Sequence, residues 1–258
     1  MRGPLSLNMN EEVGVLVEGF DMPPAVLMGH SRPWQDGIAK AAGLEKAKDL
    51  LAWRFEVGNV PARALRAWEQ VRQMPEVRIR SVDVKKMDRE LAVIMEIFND
   101  AWKENWGWVP ATDEEVKKTG EELRLILDRE LALVAEIDDK PAAICIALPN
   151  VNEVIRDFGG KLGPVQVAKL LWRLKLNRPK SGRLMMLGIR SDLRNQKKYG
   201  GLSHALYVEV AKRGEKVGYE WGELSWTLED NHRINLGIKS MGAKVYKKYR
   251  VYERALVS

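Results

Sequence analysis

The chain has 258 residues, 45% of them hydrophobic and 30% charged, which is ordinary for a protein that buries a large core. No apolar run approaches the roughly 18 residues that a membrane-spanning helix needs, and the N-terminus lacks the apolar segment of a secretory signal. The single cysteine, Cys145, lies in an apolar run, so we expect a buried thiol, no disulfide framework and a cytoplasmic protein.

The basic character of the chain, a net charge of +6 and an isoelectric point near 9.3, allows three interpretations. A solvated basic surface is the simplest of them. Nucleic-acid binding is the second, but no nucleic-acid motif accompanies the charge, so we do not expect it. The third is attraction for a small polyanionic ligand.

The first 58 residues alternate turn-rich and apolar pieces. Residues 5–10 predict a short strand and residues 47–55 a second one. Between them, Ser31 is expected to cap a helix that ends at Gly43. Residues 59–74 carry apolar side chains at helical spacing and predict a connector between two units.

From about residue 77 the pattern becomes regular, with alternating strands, a hairpin turn and amphipathic helices. Thr112 is expected to cap the second helix of this part. The predicted elements, in chain order, are a strand (77–82), a helix ending near residue 102, a helix from about residue 112, two strands (131–137 and 141–148), a strand (183–189), a helix (202–212), a strand (219–226), a helix (231–241) and a strand region (243–254).

One motif joins the strand Met185–Arg190 to the loop and helix that begin at Lys198-Tyr199-Gly200-Gly201-Leu202-Ser203. It resembles the acyl-CoA motif of the GNAT acyltransferase superfamily, Arg/Gln-x-x-Gly-x-Gly/Ala before a helix. A pyrophosphate must approach backbone N–H groups at a helix N-terminus, which small residues permit. Lys198 stands where the motif has Arg or Gln, Ser203 replaces its last small residue, and the loop is about four residues longer than usual.

A second motif runs from Asn231 to Gly242 and resembles the later GNAT signature, in which an asparagine opens a helix and a glycine ends it. Asn231 would serve equally as an ordinary helix cap. Many GNAT enzymes carry a tyrosine on this helix that protonates the departing thiolate, whereas this chain has Ile238. Tyr246 and Tyr249 lie just beyond and are the candidates to replace it, although both are also expected to pack as strand aromatics.

The resemblance implies an α/β (α+β) GNAT fold, a mixed and mostly antiparallel sheet flanked by helices. Nearly the whole chain is similar to an uncharacterised bacterial family with two GNAT-like units in tandem, through residues 3–12, 19–24, 98–107 and 223–226. On this basis residues 1–58 are the C-terminal part of a truncated first unit, 59–75 the connector, and 76–258 the GNAT-like domain. Superposing Gly43 on Gly242 gives weak internal support, since both follow a helix and precede a strand.

The resemblance also implies a function, transfer of an acetyl or other acyl group from acetyl-CoA to an unidentified amine by direct attack, with no metal. Glu223, Glu229 and Asp230 are the carboxylates expected near the cleft. The alternative is an inactive acyl-CoA-binding or protein-interaction module, and a homodimer is kept open. The expected catalytic residues are Tyr246, Tyr249 and Glu229, and the expected coenzyme A contacts are Leu187, Gly188, Ile189, Lys198, Tyr199, Gly200, Gly201, Leu202, Ser203 and Asn231.

Two further features leave alternatives open. Trp102, Trp106 and Trp108 form either an aromatic acceptor pocket or plain core. Residues 165–183 predict a basic amphipathic helix, which would be a lid over the acceptor cleft, a solvated helix, or a surface for membrane or nucleic acid.

Overall fold

The computed structural model describes residues 1–6, 9 and 11–255, without the side chains of Asp113 and Glu122. Short 3-10 turns lie at Val84–Lys86 and Lys197–Tyr199. The strands and helices are β1 (Arg2–Gly3), β2 (Val15–Glu18), α1 (Gln35–Ala41), β3 (Glu45–Glu56), α2 (Ala62–Arg72), β4 (Val77–Ser81), α3 (Met87–Trp102), α4 (Asp113–Arg124), β5 (Ala132–Ile137), β6 (Lys140–Pro149), α5 (Val151–Val154), α6 (Pro164–Leu176), β7 (Ser181–Ile189), α7 (Leu202–Lys216), β8 (Trp221–Leu228), α8 (His232–Ser240) and β9 (Lys244–Glu253).

The described strands form one mixed sheet in the order β1-β9-β3-β8-β7-β6-β5-β4, with β2 also paired to β9. Only the β7–β8 pair is parallel among the neighbouring strands of this path. The predicted fold class, a mostly antiparallel sheet flanked by helices, is confirmed. The elements predicted from residue 77 onward are all present, and α5 and α6 lie between β6 and β7.

Strand β3 is the N-terminal part's main contribution to this sheet. It pairs antiparallel with β8 on one side and with β9 on the other. Leu50 and Ala52 are fully buried against one face, while Trp53 and Phe55 are buried against the other. A strand buried on both faces belongs to the middle of a sheet. The division into units at 1–58 and 76–258 therefore stays a prediction, since β3 completes a sheet built mainly from the later residues.

Ion pairs fasten β3 in this position. The buried carboxylate of Asp49 accepts from Arg250 Nε at 2.7 Å and Nη2 at 2.9 Å, and lies 3.0 Å from Lys46 Nζ. Glu229 accepts from the same Lys46 at 2.7 Å and from the Asp49 backbone N–H at 3.0 Å. A bidentate guanidinium–carboxylate pair sets geometry as well as energy. These contacts tie β3 to β9 and to the end of β8.

Helices and the N-terminal segment cover the two faces of the sheet. On one face α2, α7 and α8 pack against β3 and β8 through residues such as Ala64, Val208 and Ile238. On the opposite face α3 covers β5 and β6, and the N-terminal segment covers β3 and β9. The alternation of side chains along each strand separates these two cores.

Local signals explain two of the element boundaries. Thr112 caps α4 as predicted, because its Oγ1 accepts from the Glu115 N–H at 3.2 Å while Glu115 Oε2 accepts from the Thr112 N–H at 2.8 Å. Asp138 and Asp139 have φ of 50° and 58°, the conformation that a two-residue hairpin requires.

Two predictions in the N-terminal part are wrong. Ser31 does not cap a helix, because its Oγ accepts from the Leu16 N–H at 2.9 Å, and α1 begins only at Gln35. In place of the strand predicted at residues 5–10, Leu5 forms an isolated bridge with Val13. Residues 7, 8 and 10 of that prediction lie outside the described residues.

We predict that a fragment of residues 76–258 does not fold alone. Without β3, strands β8 and β9 lose their shared partner, and two edges with apolar faces become exposed. Circular dichroism and size-exclusion chromatography should show an unfolded or aggregated fragment beside a monodisperse full chain. A monomeric fragment with a cooperative thermal transition would contradict this prediction.

We predict that Asp49→Ala destabilises the chain by about 3 kcal/mol, because it leaves Arg250 without its buried partner. Burial raises the pKa of Asp49, but the hydrogen bonds from Arg250 and Lys46 outweigh it, so the pKa is lowered overall. The stabilisation is present above the unfolded-state pKa, about 3.9, and is lost as pH falls through the lower folded-state pKa.

The measurement is urea unfolding at pH 7 and below pH 4, where the difference between wild type and variant should shrink. Glu56→Ala on the same strand is the matched control. It breaks the Arg54–Glu56 pair, whose side chains are 33% and 47% exposed, and should cost less than about 1 kcal/mol. Equal losses in the two variants would contradict the role of Asp49.

Candidate functional site

Strands β7 and β8 separate part-way along their length. They pair only from Ser181 to Leu184 on β7 and from Trp221 to Leu224 on β8. Beyond this point β7 continues to pair with β6, and β8 continues to pair with β3. The two strands therefore form a V-shaped opening whose vertex is the Leu184–Leu224 pair.

The opening exposes one edge of β7. Residues 186–189 use their other edge to pair with β6, so the backbone groups that face β8 are not used in a β7–β8 ladder. Free strand edges bind extended ligands through main-chain hydrogen bonds. The predicted contacts Leu187, Gly188 and Ile189 lie on this edge.

The loop after β7 leads to the N-terminus of α7. Gly201 is the residue before the helix, and the first helical hydrogen bond described is from the Ala205 N–H to the Gly201 carbonyl at 2.9 Å. The preceding N–H groups carry the positive end of the helix dipole, which favours anions. Leu202 is buried in the core beneath this end of α7.

Gly201 packs against α2. A Cβ there would lie 3.5 Å from Val71 Cγ2 and 3.6 Å from Ala67 Cβ, which are ordinary contacts. Position 201 thus faces α2, and its approach to a phosphate stays a prediction. The same holds for Tyr199, Gly200 and Ser203.

Basic side chains surround this loop. Lys198 Nζ lies 2.6 Å from Glu76, and Arg194 Nε donates to the Ile189 carbonyl at 2.9 Å. Arg233, at the start of α8, donates to the Arg194 carbonyl at 2.7 Å and so connects α8 to the loop. Three basic side chains therefore lie near the wide end of the opening, where Lys198 is paired with Glu76.

Gly188 is required where it stands. A Cβ at this position would lie 2.4 Å from the Trp102 ring, which stacks on Phe98 with ring centroids 4.8 Å apart. Trp102 thus packs against β7 as core. Trp106 lies elsewhere, beneath the Arg2 guanidinium at 4.7 Å, so the predicted tryptophan cluster is divided.

A buried polar cluster lies beside the vertex, on the face of the sheet opposite α7. We use this name for Arg183, Glu223, Ser225, Tyr246 and Lys247. Glu223 and Lys247 are fully buried, and Arg183 and Ser225 are 7% and 6% exposed. Glu223 accepts from the Ser225 and Tyr246 hydroxyls, and Arg183 Nε donates to Ser225 Oγ at 2.9 Å. Buried charges in such a number are costly unless they are bonded.

A β-bulge brings Tyr246 into this cluster. Val245 and Lys247 of β9 oppose the adjacent residues Trp53 and Ala52 of β3, so Tyr246 is the extra residue. Burial, followed by the negative charge of Glu223, raises the pKa of Tyr246, so its hydroxyl keeps its proton at neutral pH. Of the two predicted tyrosines, this one is placed beside a carboxylate.

Tyr249 also lies close to the cluster but makes different contacts. It is fully buried, and within the described residues its hydroxyl has no hydrogen-bond partner. Burial raises its pKa, followed by the charge of Glu223. The hydroxyl is a donor that a bound molecule could satisfy.

Residues 23–27 of the N-terminal segment cover the buried polar cluster. Arg183 Nη1 donates to the Val26 and Leu27 carbonyls, both at 2.9 Å, and Lys247 Nζ donates to the Pro23 carbonyl at 2.7 Å. Burial lowers the pKa of both basic groups, while Glu223 opposes this. Residues 23–27 are thus held over the site by cation-to-carbonyl bonds.

Two predicted site residues make structural contacts, and their roles at the site stay predictions. Glu229 binds Lys46 and the Asp49 backbone on β3, which is the role described above. Asn231 caps α8, where its side chain accepts from the Ile234 N–H at 3.3 Å. The sequence did not single out Lys247, and it treated Arg183 only as part of a basic helix and strand. Both are charged residues at strand positions that face the core, and this pattern could have identified them from the sequence.

The basic helix predicted at 165–183 is present as α6, but it ends at Leu176, and Arg183 lies in β7. Lys169 and Arg173 of α6 pair with Asp157. Its lid role stays a prediction. Among the described residues, no group of three His, Cys, Asp or Glu side chains could hold a metal ion. In that same part of the chain, every helix is too short or too polar to cross a membrane.

Two solved structures share this architecture. A GCN5-related N-acetyltransferase from Sphaerobacter thermophilus superposes with a TM-score of 0.55 at 16% identity, over 86% of this chain and 56% of that one. The tandem GNAT protein from the clavulanic acid biosynthesis pathway gives 0.54 at 12% identity, over 93% and 62%. This chain has the GNAT fold.

Curated relatives are more similar in sequence. The chain is 39% identical over 256 residues to the bacterial ceramide synthase of Caulobacter vibrioides, and 37% identical over 258 residues to the protein YghO of Escherichia coli. These matches cover 98% of this chain but 66% and 65% of the relatives, so the chain spans just under two thirds of their length. No protein-family model matches the chain.

Proposed function

We propose that this GNAT-fold chain is an acyl-CoA-dependent N-acyltransferase. The observation that carries the proposal is the opening between β7 and β8, which leads directly to the N-terminus of α7. The pantetheine arm of coenzyme A would pair with the free edge of residues 185–189. Its pyrophosphate would lie at the start of α7, near Lys198.

The proposed donor and acceptor are both suggested by the name of one relative. Acetyl-CoA is the smallest donor that such a site would take. The name of the Caulobacter relative supports a longer acyl group, because a ceramide is a long-chain amino alcohol acylated on its nitrogen. We therefore propose a lipid-like amine as the acceptor.

The chemistry is proposed for the polar cluster at the vertex. The amine nitrogen attacks the thioester carbonyl, the C–S bond breaks, and the amine loses one proton while the thiolate gains one. Glu223 is the proposed proton acceptor. Tyr246, whose hydroxyl donates to Glu223 and is the only tyrosine hydroxyl bonded to that carboxylate among the described residues, is the proposed proton donor to the thiolate. Orientation of the amine beside the carbonyl would supply much of the rate increase.

A module that binds acyl-CoA without catalysis is the second candidate. Ile238 favours it, because this residue, standing where many GNAT enzymes have an acid, is 2% exposed in the core. The turnover experiment below separates the two candidates.

We predict that the chain binds coenzyme A and that Lys198→Ala weakens this binding about fivefold, or roughly 1 kcal/mol for one charge-assisted contact at an exposed site. Isothermal titration calorimetry at low salt measures both. Lys140→Ala in the β5–β6 turn removes the same charge elsewhere and is the control. Absence of binding at millimolar coenzyme A, or equal losses in both variants, would contradict the site.

We predict that Glu223→Gln and Tyr246→Phe lower kcat by roughly 100-fold, the usual contribution of one proton-transfer group, with little change in coenzyme A affinity. Thiol release from an acyl-CoA in the presence of a long-chain amino alcohol measures turnover. Tyr252→Phe on the same strand is the control, since its hydroxyl binds Asp36. Binding with no turnover in the wild type across a panel of amines would favour the inactive module.

A further inference from the structure

An apolar cavity lies between α7 and the sheet. It holds about 520 Å³ of empty space, including its open side. Its walls come from α7, β3, β7 and β8, and its lining is almost entirely hydrocarbon. Residues lining it include Phe55, Leu131, Leu184, Tyr207, Ala211 and Leu224.

Glycines create this space. Gly182 and Gly222 stand opposite each other on the paired strands, and Gly214 of α7 lines the same cavity. The nearest atom to a Cβ built on Gly222 is the Gly182 carbonyl oxygen, 3.7 Å away. Glycine weakens a strand interior and often marks a bulge, a tight bend or a close approach of another group. At Gly182 the close neighbour is the Leu148 carbonyl oxygen, 3.0 Å from an added Cβ, whereas the space beside Gly222 is open.

The cavity begins at the vertex of the opening. Leu184 and Leu224, the last paired residues of β7 and β8, both line it. Their chain neighbours Arg183 and Glu223 belong to the buried polar cluster on the opposite face. A carbonyl held at the vertex would thus have hydrocarbon walls on one side and acid–base groups on the other.

Two polar groups among the lining residues have partners outside the cavity. The Glu223 carboxylate is bonded to Ser225 and Tyr246 on the other face, and the Tyr219 hydroxyl donates to Asp128 at 3.3 Å. A ligand in the cavity would therefore be recognised mainly by apolar contact.

We propose that this cavity binds the alkyl chain of a long-chain acyl-CoA. The inference rests on the proposed function, since it places the thioester at the vertex. The acyl chain continues past Leu184 and Leu224 into the space left by the glycines. A long alkyl chain on the acceptor has the same chemistry, but its amine must reach the polar cluster on the opposite face.

The first experiment measures chain-length dependence by calorimetry, with acyl-CoAs from acetyl to palmitoyl below their micellar concentrations and no acceptor present. Affinity should rise up to about fourfold per added methylene and then level off when the cavity is full. An affinity that does not depend on chain length would overturn the proposal and leave coenzyme A binding intact. Absence of binding at every length, coenzyme A included, would overturn the proposed function as well.

The second experiment fills the cavity with Gly222→Val. Coenzyme A and acetyl-CoA should bind as in the wild type, whereas palmitoyl-CoA should bind at least tenfold more weakly. The thermal transition should be at or above that of the wild type, because a β-branched residue replaces a strand glycine. Gly37→Val in α1, where nothing lies within 4 Å of the added Cβ, is the matched control.

Ala211→Leu fills the cavity from the α7 wall and should give the same selective loss, which provides a second test if Gly222→Val folds poorly. Equal losses for short and long donors would overturn the proposal. So would a selective loss of affinity for a long-chain amine, which would assign the cavity to the acceptor.

Discussion

Strand β3 sits between β8 and β9, and the candidate site depends on this pairing. Strand β8 pairs with β3 along the edge that faces away from β7. It can therefore separate from β7 after Leu224 and still keep main-chain hydrogen bonds to β3. The Asp49–Arg250 pair and Glu229 fasten β3 at one end. The opening thus depends on a strand from the N-terminal part of the chain that lies in the middle of the sheet. This strand and the opening are distant in sequence but adjacent in space.

The vertex of the opening divides two kinds of chemistry. Strand alternation directs Arg183 and Glu223 to one face and Leu184 and Leu224 to the other. One face carries bonded charges in a water-poor environment, where electrostatic effects are strong. The other face offers only hydrocarbon and space. A reaction that joins a polar amine to an apolar chain needs both environments next to the same carbon atom, and two consecutive register positions, Arg183 with Glu223 and Leu184 with Leu224, would provide them.

The sequence predicted the helices and strands after residue 77 because their apolar periodicity is local. It named Tyr246 as a candidate catalytic residue, and Glu223 only as one of three carboxylates near the cleft. It could not place β3, since pairing between residues about 180 positions apart follows from register, which no local pattern encodes. Lys247 and Arg183 look like solvated strand charges until the segment at 23–27 covers them. Ser31 satisfied the cap pattern but bonds to Leu16, because tertiary packing outweighs a local preference.

The bulge at Tyr246 has a consequence for how the chain tolerates change. Val245 and Lys247 already oppose adjacent residues of β3, so a deletion of Tyr246 would leave the pairing on both sides of the bulge in register. Lys247 and Tyr249 would keep Ala52 and Leu50 as their partners on β3. The loss of this single codon would therefore remove the hydroxyl that donates to Glu223 while the rest of β9 stays paired as before.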